Sequence, residues 1–463
     1  VRLLLATSPE SLPRVGEIAL DGRVVLYTAA VSVVAGLLFG QAPLLHLSLR
    51  SMAASLREGG QRATAGARRR LRQGLVVAEV ALAVVLVIGS GLLIRSLGNL
   101  ERVDVGFDPS DLLTFQLYLP QARYPKASDA ASFYSSLLDR IKALPGVKSA
   151  AAMSGLPPQR SIDANDTEFE GVERSPDRPF NVDYYQVVQG DYFATMGTHI
   201  LRGRAFRSTD DAKGSGVLLI NETLAKTYYP GQDPIGRRIK PSGAPGWLTV
   251  VGVVEDVKQG GIAKSVGTEL YFDNRQMAAA GLPHRSMNIV VRTTRPPLAL
   301  AAVVRSAVRE LDPTLPVARL QTMKQNIDAT ISRPRFLTVL LALFAGLALI
   351  LAAVGTYGVL SYTVEERGQE IGVRMAMGAR PANVVGMVLK SGLTYTGIGL
   401  GLGVAGAVGA TRVMHSLLFG VGSTDPLAFL VGPLVLAVVA VVACLIPARR
   451  AVRVDPVVVL REE

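Results

Sequence analysis

Phe336-Leu-Thr-Val-Leu-Leu-Ala-Leu-Phe-Ala-Gly-Leu-Ala-Leu-Ile-Leu-Ala-Ala-Val-Gly-Thr-Tyr-Gly-Val-Leu-Ser-Tyr362 runs for 27 residues without a charge. A helix needs about 20 residues to cross ~30 Å of hydrocarbon, so this stretch predicts a membrane span rather than a helix of a soluble core. Residues 24–47, 75–97, 384–418 and 427–448 have the same character, which makes five expected spans. Glycines recur in them, as at Gly89-Ser90-Gly91 and from Gly397 to Gly409, and small residues let membrane helices approach closely. A chain of 463 residues with 49% apolar composition and positive mean hydropathy fits this class.

The formal charge is +12, but residues 99–332 hold 27 Lys/Arg and 25 Asp/Glu, so +10 lies in and around the apolar segments. That distribution argues for a membrane protein and against a nucleic-acid partner. Residues 50–74 carry Arg50, Arg57, Arg62, Arg68, Arg69, Arg70 and Arg72 against the single acid Glu58, whereas residues 419–426 carry no base. The first segment is therefore expected on the cytoplasmic side and the second outside. Alternation then places residues 99–332 outside, and residues 363–383 inside with the C-terminal Arg449, Arg450 and Arg453. One charge sits awkwardly. Glu79 lies a turn into the second span, where a charge costs ~3 kcal/mol at mid-membrane, and solvation at the interface or pairing with Arg72 is expected.

The first and last spans share punctuation at an offset of 404 residues: Asp21 with Asp425, Pro43 with Pro447, and Leu56-Arg57-Glu58 with Leu460-Arg461-Glu462. This repeat predicts that residues 1–49 close a preceding, truncated unit and that 50–74 form an Arg-rich cytoplasmic linker. A complete four-span unit follows, with its first span at 75–98, an external domain at 99–332 and three spans in 333–463. The chain starts at Val1 with no signal-peptide layout, which suits a fragment.

The external segment mixes periodicities of two and of 3.6. Strands are expected at 112–119, 147–153, 216–220, 247–254, 269–272, 288–293 and 317–320, and helices at 131–144, 221–229, 298–311 and 323–331. A strand–helix–strand unit at each end with an insert between predicts a two-lobed α/β domain. Nothing in it reads as catalytic. Glu255 and Asp256 are adjacent on an extended chain and should face opposite ways, and Asn221 reads as a helix N-cap. Cys444 is the only cysteine and lies in an apolar run, and His46, His199, His284 and His415 are widely spaced, so no metal set is expected.

The most informative stretch is Thr363-Val-Glu-Glu-Arg-Gly-Gln-Glu-Ile-Gly-Val-Arg-Met-Ala-Met-Gly-Ala-Arg-Pro381. Glu370 and Arg374 are spaced i,i+4 in the favourable acid-first order, Gly378 is placed to stop a helix, and Pro381 can open the next. A short helix between two spans is expected. Its Glu-Ile-Gly-Val-Arg-Met-Ala-Met-Gly-Ala run at 370–379 resembles the cytoplasmic loop of MacB/FtsX-type ABC permeases. Asp191-Tyr-Phe-Ala-Thr-Met-Gly197, Arg202-Gly-Arg-Ala-Phe206, Pro234-Ile-Gly-Arg237, Ile446-Pro-Ala-Arg-Arg-Ala451 and Asp455-Pro-Val-Val-Val-Leu-Arg461 are also similar to that family. The duplicated layout resembles the duplicated orphan permeases of acidobacterial type.

The resemblance implies an α-helical integral membrane protein of a bacterial inner membrane, with its α/β domain in the periplasm. It implies a permease with no ATPase site or cofactor of its own, and no Gly-x-x-x-x-Gly-Lys-[Ser/Thr] loop occurs in the sequence. ATP and Mg²⁺ would bind a separate ABC ATPase subunit. Glu370, Ile371, Gly372, Arg374, Met375, Gly378 and Ala379 would couple to that subunit, and two permease units would work as a pair. Export of hydrophobic compounds, peptides or lipid-linked cargo, with a periplasmic adaptor, is the first expectation. A non-transporting regulator of a periplasmic partner such as a cell-wall hydrolase is the alternative, and an extracytoplasmic receptor is third.

Overall fold

The computed structural model describes residues 22–41, 61–163, 165–173, 180–211, 214–377, 380–422 and 424–451. The chain divides into two compact units, residues 1–101 with 333–463, and residues 102–332.

The first unit is helical. Helix α1 is Gly22–Gln41 and α2 is Gln61–Glu101. Helix α8 (Met323–Glu366) begins within the second unit and continues into this one, followed by α9 (Gly368–Ala376), α10 (Pro381–Val413) and α11 (Pro426–Ala451). Among the described residues, α2, α8, α10 and α11 are each long and apolar enough to span a membrane; in α1 the apolar helix counted is the shorter Gly22–Val34. The expected fifth span ran to residue 47, and its residues 42–47 lie outside the described residues. Large apolar side chains such as Leu82, Phe344, Leu347, Ile350, Val354, Leu434 and Val438 are exposed on these helices, as a lipid-facing surface requires.

The buried stripe of α2 is Val76, Val80, Ala83, Val84, Ile88 and Leu92, at helical spacing. It packs against small residues of the other helices. A Cβ on Gly399 would lie 2.8 Å from Val80 Cβ, and one on Gly403 would lie 2.6 Å from Val84 Cβ and 2.8 Å from the Ala81 carbonyl oxygen. Glycine is thus required at both positions by the close approach of α10 to α2. Away from that seam, Ser96 Oγ accepts from the Phe419 N–H at 2.8 Å, Asn99 donates to the Gly420 carbonyl at 3.0 Å, and Arg95 pairs with Asp425. At the other end of α2, Arg72 lies 4.2 Å over the Tyr362 ring, and Arg450 on α11 donates to Tyr357 Oη at 2.9 Å. Of the two expectations for Glu79, solvation at the interface or pairing with Arg72, the pairing is not seen among the described residues. The aromatic face at the end of α8 takes the guanidinium, and the Glu79 carboxylate lies against Gly355.

Helix α8 corrects a second expectation. Residues 323–331 are not a separate helix but the first turns of a 44-residue one that continues through Pro334. Proline removes one backbone N–H and would ordinarily kink or break a helix. The carbonyl it leaves without a helical donor is that of Thr330, and on either side Thr330 Oγ1, Ser332 Oγ and Thr338 Oγ1 donate to the carbonyls of Ile327, Ala329 and Pro334 at 2.6–2.8 Å.

Among the described residues the second unit carries twelve strands. They are β1 (Leu112–Tyr118), β2 (Val147–Met153), β3 (Asn165–Phe169), β4 (Asn181–Val182), β5 (Tyr184–Gly190), β6 (Ile200–Gly203), β7 (Val217–Asn221), β8 (Arg238–Pro241), β9 (Leu248–Val254), β10 (Glu269–Asp273), β11 (Ser286–Thr293) and β12 (Ala318–Thr322). Between them lie α3 (Ala127–Lys142), α4 (Tyr192–Met196), α5 (Glu222–Tyr228), α6 (Asn274–Ala279) and α7 (Ala301–Leu311). One hydrogen-bonded path runs β12-β1-β11-β2-β5-β10-β7-β9-β8-β3-β4, with β6 pairing β9. Its first four strands form two interleaved β–α–β units, β1-α3-β2 and β11-α7-β12, each split by a strand of the other. Helix α3 buries Ala130, Phe133, Tyr134, Leu137, Leu138 and Ile141 in this half, and α7 buries Val304, Ala307 and Val308. The parallel pair β5–β10 joins the half to the insert, so the two expected lobes share one sheet.

Replacing Gly403 by leucine should force α10 away from α2 and cost about 1–3 kcal/mol, the usual range for overpacking. Gly409→Leu, where a Cβ would meet nothing within 4 Å, should leave the unfolding midpoint in lipid nanodiscs unchanged.

Candidate functional site

Helix α9 sits between two long helices because the sequence stops and restarts the backbone there. Arg367, at φ −101° and ψ 12°, separates it from α8, and Arg380 in extended conformation with Pro381 at the first turn starts α10. Within α9, Glu370 accepts from Arg374 at 2.6 Å across one helical turn, and both side chains are about half exposed. Arg374 also approaches Met387 Sδ at 3.2 Å. Ile371 is 3% exposed and packs on Val384, which is 1% exposed, with Val364 and Met375 alongside.

The helix therefore has two apolar faces. Ile371 and Met375, spaced i,i+4, turn inward and fix α9 on α8 and α10. Val373 and Met377, also spaced i,i+4, turn outward and are 45% and 80% exposed. Of the seven residues singled out in the sequence, Glu370 and Arg374 share the outward side with this pair, Ile371 and Met375 are packing residues, and Gly372 lies within the helix. Gly378 and Ala379 lie outside the described residues. Val373 and Met377 were missed because apolar residues recur on both faces, and only the contact of Ile371 with Val384 tells them apart.

In the second unit, Glu255 and Asp256 go separate ways. Glu255 meets His199 Nδ1 at 2.8 Å, while Asp256 accepts from Asn221 Nδ2, Thr223 N and Thr223 Oγ1 at 2.7–2.9 Å. Asn221 caps α5 by accepting from Leu224 N at 3.1 Å, as its position predicts, and accepts from Glu269 N at 2.9 Å as well. No group of three or more His, Cys, Asp or Glu able to hold a metal occurs among the described residues.

The carboxylate that sequence reasoning missed is Glu269, at the start of β10 and 1% exposed. Tyr271 Oη and Gln259 Nε2 donate to it at 2.8 Å each, and Arg160 Nη1 lies 3.6 Å away. Burial nevertheless outweighs the arginine and pushes its carboxyl up to about 7.

A set of long apolar helices joined to a mixed-sheet domain, with a short amphipathic helix between two spans, defines a helical membrane permease with an extracytoplasmic domain. The model of the MacB-like periplasmic core domain matches residues 74–310, and that of the FtsX-like permease C-terminal region matches residues 342–456. The chain belongs to the MacB/FtsX-type ABC permease family. It is 29% identical over 298 residues to the macrolide export ATP-binding/permease protein MacB of Bordetella avium, covering 61% of this chain and 44% of that protein. It is 24% identical over 411 residues to the pyoverdine export ATP-binding/permease protein PvdT of Pseudomonas syringae pv. syringae, covering 84% of this chain and 56% of that one. The chain thus spans about half the length of these curated relatives. The periplasmic region of MacB from Actinobacillus actinomycetemcomitans overlays 50% of this chain and 98% of its own at 14% identity, with a TM-score of 0.33.

Two outcomes follow. Ile371→Ser should loosen α9 by about 2–4 kcal/mol, seen as faster amide exchange over residues 368–377, whereas Val373→Ser should leave that exchange unchanged. For Glu269, the folded protein holds the proton more tightly than the unfolded chain, whose carboxyl titrates near 4.5. The stability this lends is complete below 4.5 and lost as the pH rises through about 7, on the order of 3 kcal/mol in all. The fluorescence of the single Trp247, which lies in this unit, should show the unfolding midpoint falling over that range, and Glu269→Gln should flatten the slope.

Proposed function

We propose that this chain is the permease subunit of an ABC transporter of a bacterial inner membrane. It takes mechanical work from a separate ATPase subunit, which binds the ATP and Mg²⁺, and delivers it to the periplasmic domain to export hydrophobic compounds, peptides or lipid-linked cargo. The observation that carries this reading is the outward side of α9, where Val373 and Met377 flank the Glu370–Arg374 pair. An apolar pair bordered by charges is the make-up of a small docking patch, with anchors at the centre and a polar rim. The arginine-bearing ends of α2 and α11 meet α8 at Tyr362 and Tyr357, close in sequence to α9, which supports a cytoplasmic position for the helix.

The inner contacts of α9 matter as much. Because Ile371 is wedged on Val384, a push on the outward face moves the ends of α8 and α10 with it instead of folding the helix away. Helix α8 runs from Met323, directly after β12, to Glu366 as one helix, and it is the element through which such a displacement would have to travel. Two such permease units would act as a pair around one ATPase dimer. The export proteins named among the relatives favour outward movement of cargo over regulation.

The test is co-purification of the full-length permease from its own host membranes, with Arg374→Glu and Met377→Asp variants alongside, scored for an identified ABC ATPase and its ATP turnover. The wild-type chain should bring the ATPase with it, and each variant should lose about 2 kcal/mol of affinity, roughly thirty-fold. An ATPase absent from the wild-type preparation, or retained equally by both variants, would sink this reading.

A further inference from the structure

The insert half of the sheet carries a largely apolar pocket of about 160 Å³ beside α6, partly open to the surface. Its walls are Val217 of β7, Leu248 of β9, Phe272 of β10, Met277 of α6, Leu282 just after it, and the ring of Tyr185 on β5.

The polar side chains around it are already committed. Tyr185 Oη shares a hydrogen bond with Thr167 Oγ1 at 2.6 Å and accepts from Ser242 N at 3.2 Å. Gln276 accepts from Val217 N and donates to the Asp210 carbonyl, both at 3.1 Å. Asp273 is held by Arg275 through Nε at 3.0 Å and Nη2 at 2.8 Å. With these groups occupied, what the cavity offers is carbon surface. A dry apolar cavity of about 150 Å³ accepts a single benzene ring, so the volume here suits one ring or a branched aliphatic unit. A carboxylate moved onto this carbon surface would lose its water without finding a free donor among these groups, which disfavours an anionic group there.

We propose that this cavity is a binding site for a small molecule presenting a neutral aromatic or branched aliphatic group, with any polar remainder uncharged or cationic and lying at the mouth. The assignment stands on the cavity and does not depend on the ATPase-coupling reading.

The experiment uses the full chain in lipid nanodiscs with carbon-13 methyl-labelled methionine, and follows the Met277 methyl resonance during titration with toluene, benzylamine and benzoate. Toluene should shift the resonance saturably, benzylamine should do so at higher concentration, and benzoate should have no effect. Leu248→Phe and Leu282→Phe, which fill the space from different walls, should abolish the toluene shift. A toluene response that is absent, grows linearly without saturating, or persists in both filled variants would overturn the proposal, the last two marking partition into lipid. A benzoate response equal to that of toluene would overturn the charge preference.

Discussion

Close approach of α10 to α2 is the contact on which the membrane unit depends. Apolar side chains gain nothing from leaving lipid for one another, so helices there are held by packing and by the few polar groups that find partners. Gly399 and Gly403 bring the α10 backbone to within van der Waals reach of Val77–Val84, and Ala407 continues the seam. Helix α11 joins through Ala428 and Leu436, and α8 through Ala352, all on the same stripe of α2. With that stripe occupied, the remaining large apolar side chains are left facing outward, where the bilayer solvates them. The polar pairs at either end of α2, Arg95 with Asp425 and Arg72 on Tyr362, fix the helix along its axis.

The same economy appears in α9. Nine residues are too few to hold a helix in water by hydrogen bonding alone, so its existence rests on tertiary contact. Ile371 and Met375 supply that contact, which frees the opposite side for another use. A helix pinned by one face and open on the other can transmit force without itself unfolding, and that division of labour makes it a better candidate for coupling than any carboxylate in the sheet domain.

Much of this organisation was legible in the residues. Charge-free runs located four long helices because hydrocarbon tolerates almost no other pattern, and apolar alternation located seven strands. Where reading failed, polar residues were doing structural work. Strand β5 carries Gln186 and Gln189 in its centre, both buried, with Gln186 bonded to Ser154, Gly155 and Arg160 and Gln189 to Ala131 and Ser135. Such a strand has no clean period. Strands β3 and β8 are short and polar and lie near the far end of the sheet path, β8 between β9 and β3 and β3 between β8 and β4, too short to show a period. Glu269 shows no sign of its role in the sequence, because of its three partners only Tyr271 shares its strand, while Gln259 and Arg160 come from other stretches of chain. The candidate loop was half legible: the Glu370–Arg374 spacing gave the helix, but its outward side appeared only when Ile371 was seen against Val384.

Helix α8 is far longer than a membrane crossing needs. Forty-four residues at 1.5 Å each make a rod of about 66 Å, whereas the hydrocarbon of a bilayer is about 30 Å deep. More than half of the helix must therefore stand in headgroups or water. Its charges agree: Lys324, Asp328, Arg333 and Arg335 occupy one end and Glu365 and Glu366 the other, with none between. A span that projects this far is a stalk as well as an anchor: the lipid holds only its middle third to half, and protein contacts hold its ends, with Met323 and Asn326 buried at one and Leu360 at the other.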